Sequence, residues 1–210
     1  MSGIVAQNVG RPSGLIKAAA AAAGGGTWVE IKSLTASGDG DLSFVDGTDD
    51  VVLDSTYPIY VFKFINIHAE TANADFTFNG STDTGSTYDT TKTSSWFEAA
   101  HAEADDDTNL AYQTSLDLAQ STAFNKLSYN VGIDNDKSTS GYLYLFNPSS
   151  AVFVKHFMAS GNWVHNDDYS LQFFVAGYMN TTSAVDAMQF KFDSGNIDSG
   201  KIKLFGIKDS

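Results

Sequence analysis

The chain contains no cysteine, which removes disulfides, thiolate metal sites and cysteine nucleophiles and leaves the redox compartment undetermined. Proline is almost as scarce, three in 210 residues. Pro58 opens an expected strand and Pro148 an expected turn, both tolerated places. Basic residues are few: 12 Lys and Arg stand against 25 Asp and Glu, for a formal charge of −13. So acidic a surface repels phosphate backbones and anionic lipid, which argues against nucleic-acid partners and membrane insertion. No apolar run approaches the ~20 residues that span a bilayer.

Catalytic signatures are missing as well. There is no GxSxG elbow, no GxxxxGK[ST] loop and no GxGxxG after a strand. The histidines His68, His101, His156 and His165 form no HxH or HExxH pair. With 25 acids, two carboxylates at a glycosidase separation arise on almost any fold and carry no specificity. The expectation is a protein that is not an enzyme and has no cofactor and no metal. Asp39, Asp41, Asp46, Asp49 and Asp50 crowd one stretch, with smaller groups at Asp105–Asp107 and Asp134–Asp136. None matches the EF-hand loop, so a solvated acidic face is the expectation, with Ca²⁺ on these oxygen-rich loops as the alternative.

What is present is a core. Hydrophobic residues make up 42% and aromatics 13%, with 15 Phe and 9 Tyr, enough to fold one domain of this length. From Thr27 onward short β-rich segments alternate with Asp, Gly, Asn, Ser and Thr. Tyr57–His68 is the clearest strand and is apolar on both faces. Others are Trp28–Leu34, Phe76 to Phe78 with a turn at Asn79-Gly80, Ser94–His101, Phe124–Val131, Gly141–Phe146, Ala151–Met158, Ser170–Tyr178, Ala187–Phe192 and Lys201–Ile207. About ten such strands predict an all-β fold, a β-sandwich or jelly roll over residues 27–210. Asp105–Gln120 reads either as a short helix or as an ordered loop.

Residues 1–26 differ in kind. Ala18–Ala23 favours a helix that the glycines at 24–26 end. Lys17 interrupts a weakly apolar stretch, which speaks against a signal peptide. A short helix with a glycine triplet is marginal alone and needs a surface to hold it, its own domain or another subunit. The expectation is an assembly arm whose partner-binding residues are Arg11, Leu15, Ile16 and Lys17. A second candidate site is Trp163-Val164-His165-Asn166-Asp167-Asp168-Tyr169. Aromatic faces pack on the C–H surface of sugars, while amides and carboxylates bind hydroxyls. Trp163, His165, Asn166, Asp167, Asp168 and Tyr169 therefore suit a glycan contact, with Trp96 as an added aromatic. A Trp at the base of a loop is more often packed in the core, and that reading stands beside the glycan contact. Asn79-Gly80-Ser81 and Asn180-Thr181-Thr182 are formal glycosylation sequons.

Several stretches together resemble a family of small β-rich virion structural proteins, tail- or fibre-associated, of marine and cyanobacterial tailed bacteriophages. They are Gly14-Leu15-Ile16-Lys17-Ala18, Tyr60 through His68, Gly141 through Ser150, Phe153 through Phe157, and most distinctively Phe190 through Ile207. The resemblance covers most of residues 14–207. It implies a tail-fibre or receptor-binding appendage component on the virion exterior, anchored to other virion proteins by its arm. A homotrimer and a host surface glycan are the expected partners. A capsid decoration or cement protein on the phage head is the second reading, and a glycan depolymerase the third.

Overall fold

The computed structural model describes residues 28–208, so Arg11, Leu15, Ile16 and Lys17 of the arm lie outside the described residues. The described chain is all β. In order it forms β1 (Trp28–Asp39), β2 (Leu42–Val45), β3 (Ile59–Ala69), β4 (Phe76–Ser81), β5 (Lys92–Ala102), β6 (Thr108–Tyr112) and β7 (Leu118–Ser121). There follow β8 (Asn125–Lys126), β9 (Thr139–Phe146), β10 (Lys155–Val164), β11 (Tyr169–Met179), β12 (Ala187–Phe192) and β13 (Ile197–Ile207). Nine strands make a wide sheet, β1-β13-β3-β9-β10-β11-β5-β6 with β7 also on β5, and four make a narrow one, β2-β12-β4-β8. The two sheets form a β-sandwich.

Period-two alternation sends one side of each strand into the space between the sheets. On β3 the inward residues are Tyr60, Phe62 and Phe64, all buried. They meet Phe44 from β2, Phe76 and Phe78 from β4, and Phe190 from β12. Phe190 is the hub, with its ring centre 5.1 Å from Phe62 and 5.2 Å from Phe64. The first pair is tilted and the second edge-on, and aromatic pairs in such geometries add about 0.5–1.5 kcal/mol each beyond the area they bury.

The strands number thirteen because three short ones hide in polar sequence. β2 lies within the acidic stretch, and β6 and β7 occupy Asp105–Gln120 in place of a helix. That segment carries Leu110 outward at 75% exposure and lies along the edge of β5, so hydrogen-bond demand of that strand, not apolar burial, sets its conformation. Phe124–Val131 is strand only at Asn125–Lys126, with isolated bridges from Val131 to Ala74 and His165. Residues 151–154 bend before β10, because the buried Lys155 ammonium gathers the carbonyls of Ser150 (2.6 Å), Phe153 (3.1 Å) and Thr181 (3.2 Å). Asn79-Gly80 is not a turn. It lies inside β4, where the Asn79 amide donates to the carbonyls of Tyr88 (2.6 Å) and Thr122 (3.0 Å). Full burial also closes that sequon to modification.

Two glycines are needed where they stand. Gly161 of β10 lies directly opposite Gly141 of β9, and a side chain on Gly161 would strike the Ser140 carbonyl and the Phe173 ring. Gly200 has φ +123° at the bulge where β13 shifts register against β3, a conformation closed to L side chains.

Candidate functional site

The segment Trp163–Tyr169 is the tight connection between β10 and β11. The His165 N–H donates to the Tyr169 carbonyl (2.9 Å), and the Asp168 N–H to the His165 carbonyl (3.1 Å). Asp168 takes the left-handed conformation this turn requires, φ +62°, which Asp tolerates better than most residues. Beneath the turn the buried Lys137 ammonium binds Asp168 (2.7 Å), Asp134 (3.3 Å) and the Asn166 carbonyl (2.8 Å). The two carboxylates hold the Lys137 pKa above its ordinary value.

One expected contact is corrected here. Trp163 is wholly buried, and its indole N–H donates to the Tyr129 carbonyl at 2.9 Å. Trp96 is buried in the same way, its N–H on the Lys126 carbonyl at 3.0 Å. Neither ring can face a sugar. Both continue the inward alternation of their strands, Phe157, Ala159, Gly161, Trp163 on β10 and Ser94, Trp96, Glu98, Ala100 on β5. Asn166, Asp167 and Asp168 stay on the turn, while His165 and Tyr169 point back towards the sandwich.

Behind the turn these last two help to enclose a cavity of about 210 Å³, lined also by Glu98, Ala100, Asp107, Asn109, Tyr129 and Leu171. It sits beyond β8, only two residues long, where the narrow sheet gives out and the inner face of β5 loses its cover. Glu98 is an inward position of β5 and is buried. Its Oε1 accepts from the Gln113 amide (2.6 Å) and the Tyr129 hydroxyl (3.2 Å), whereas Oε2 is buried with no partner. Burial, reinforced by the Glu98 charge, drives the Tyr129 pKa well above its usual range. The Asp167 N–H donates to His165 Nδ1 (3.0 Å), so the neutral ring carries its proton on Nε2. Burial lowers the His165 pKa, keeping it neutral at pH 7. Tyr169 donates to Asp107 Oδ2 at 3.2 Å. Glu98, Asp107, Asn109 and Tyr129 were not anticipated from sequence.

The other feature is the outward face of the wide sheet. Phe97 and Phe174 stack at 4.8 Å on one side, and Tyr142, Tyr144 and Phe146 line the other. Between them, over Met158, Ser160 and Ala176, runs a trough of about 530 Å³. Trp28 caps its far end against Phe205 and Tyr144, and Lys63 lies 4.5 Å over the Trp28 ring. No described residue covers this face.

Comparison with family models, curated proteins and solved structures finds no match.

The remaining candidates are accounted for by local bonding. His68 lies between Asp198 (3.1 Å) and the Asp134 carbonyl (3.2 Å). In the acidic stretch Asp46 accepts from the Leu53 N–H (2.8 Å) and Asp41 from the Ser43 hydroxyl (2.6 Å). Among the described residues no three His, Asp or Glu side chains are grouped to share a cation, and no helix is long and apolar enough to cross a membrane.

Proposed function

We propose that the protein is a structural component of a tailed-bacteriophage virion, a tail-fibre or receptor-binding appendage subunit that binds and assembles rather than catalyses. The kinship to phage proteins rests on the sequence resemblance. The assembly role rests on one observation, the aromatic outward face of the wide sheet.

A contiguous apolar patch of this kind marks an interaction surface. Met158 is 55% exposed, Tyr142 42% and Phe97 40%, and all three point the same way from neighbouring strands. Its occupant is a second copy of the chain. The outward positions of β5, β9, β10 and β11 hold no carboxylate. On β1, β3 and β13 the outward Glu30 is paired with Lys203 at 2.9 Å and Asp198 with His68 at 3.1 Å, while Asp39 ends β1 at the far edge of the sheet, away from the trough. The chain as a whole carries −13, so this face is where two copies meet without acid opposing acid. In this reading copies form a homotrimer, residues 1–26 tie it to other virion proteins, and the opposite side of the sandwich faces out towards host glycan.

Sedimentation equilibrium of the full chain tests the assembly: a trimer that Met158→Glu converts to monomers supports it, and a monomeric wild type refutes it. Gold-labelled antibody on purified particles tests the location. Label on the tail or its fibres supports the appendage, label over the head makes it a decoration protein, and bare particles refute a virion role.

A further inference from the structure

The cavity around Glu98 holds an arrangement that packing alone does not require. An inward position of a β-strand beside two tryptophans calls for an apolar side chain. A carboxylate there must find donors for both oxygens or lose its hydration without return. Among the described residues donors reach Oε1 alone, from Gln113 and Tyr129. Oε2 is buried with no donor among them.

The rest of the lining describes what a donor there would belong to. Asp107 accepts from Tyr169 on Oδ2, and among the described residues no donor bonds its Oδ1. Asn109 offers an amide, donor and acceptor together. His165 has Nδ1 occupied by a backbone N–H, so Nε2–H remains a donor. Between these polar groups stand ring surfaces: Tyr129 lies 5.5 Å from His165, and His165 6.2 Å from Tyr169, each pair edge-on. Acceptors that want hydroxyl protons, one neutral donor and aromatic walls for C–H groups are the complement of a pyranose ring. The volume of about 210 Å³ is below the range of pockets for larger organic ligands and suits one ring. A metal ion is a poorer match, since no third His, Asp or Glu joins Glu98 and Asp107 around a common point among the described residues.

We propose that this cavity is a carbohydrate subsite that takes one neutral sugar residue, with hydroxyl groups donating to Glu98 and Asp107 and the ring seated among Tyr129, His165 and Tyr169. The proposal deepens the appendage reading, on which it rests only for the source of the sugar, the terminal residue of a host surface glycan. It moves the glycan contact from the turn Trp163–Tyr169 to the cavity behind it.

The test is an amide-resolved NMR titration of the full-length protein with methyl glycosides of common hexoses and N-acetylhexosamines, each taken to tens of millimolar. At least one glycoside should shift the amides of Ala100, Asn109 and Leu171 in a saturable way. Glu98→Gln, which puts an NH₂ donor where an acceptor is needed, should weaken that binding at least tenfold with the rest of the spectrum unchanged. Ala100→Leu, which fills the cavity from the strand, should abolish it, and keeps the test open if the Glu98 variant misfolds. The proposal is overturned if no glycoside moves these amides, or if Glu98→Gln or a folded Ala100→Leu binds as well as wild type. It is equally overturned if putrescine moves them and the sugars do not. The particle-labelling experiment is independent of this titration, so either result can fail without the other.

Discussion

Lys92 opens β5 with its side chain fully buried. Its ammonium donates to Asn79 Oδ1 at 2.5 Å and to the Thr90 carbonyl at 2.7 Å, and touches no carboxylate. Burial pushes its pKa down to about 7 from 10.5, with Asp89 only partly opposing. The unfolded chain holds this proton up to about pH 10.4. Between the two values the unfolded state binds more protons than the folded one, so stability rises with pH there. Below pH 7 the full penalty applies, and it is lifted as pH climbs towards the unfolded value. At about 1.4 kcal/mol for each pH unit, the whole displacement amounts to about 5 kcal/mol. The comparison that isolates it is urea unfolding of wild type and Lys92→Met in parallel. Asn79 Oδ1 keeps donors in the variant, from the Gly80 N–H and the Thr90 hydroxyl. The unfolding free energy of wild type, minus that of Lys92→Met, should rise by about 2 kcal/mol from pH 7 to pH 9, the slope starting at half its full value where the folded group is half protonated. A difference that stays level across that interval refutes the reasoning, because it means Lys92 titrates alike in both states.

Lys155→Met leaves three carbonyls without their donor and should lower stability by about 3 kcal/mol in urea. Gly161→Val must push the Ser140 carbonyl and Phe173 apart, and a fall in Tm matching about 1–3 kcal/mol is expected. Deleting residues 1–26 should leave far-UV circular dichroism and Tm close to those of the full chain while ending incorporation into particles. An unfolded truncation would show instead that the arm belongs to the domain.

How far the sequence could be read depended on which signal each segment carried. β3 was plain because Tyr60, Phe62 and Phe64 alternate with Ile59, Val61 and Ile65, apolar on both sides. A strand apolar on both faces reads as one covered on both faces, and Val61 is indeed buried on the outer side, yet Ile65 is exposed there. That outer side adjoins the face proposed for assembly. Trp163 offered two readings, a sugar contact from the polar residues after it and core packing, the commoner role, which alternation from Phe157 through Ala159 and Gly161 already favoured. Glu98 had a readable position too, two residues from Trp96 and two from Ala100. What no periodicity shows is that Tyr129, His165 and Asp107, from three separate connections, converge on it. β2, β6 and β7 stayed hidden because the edges they pair with, rather than their own apolar residues, make them strands.

The first and last strands are hydrogen-bonded neighbours, with Trp28 opposite Ile207. Entry and exit of the described chain therefore share one corner of the sandwich. Force applied between these two points would peel β1 from β13 one pair at a time, the geometry in which a sheet yields most easily. A subunit hung from the β1 side alone carries no load through its sheets. If the proposed appendage role holds, such a domain would ride as a pendant, with the strain falling on whatever holds its β1 side.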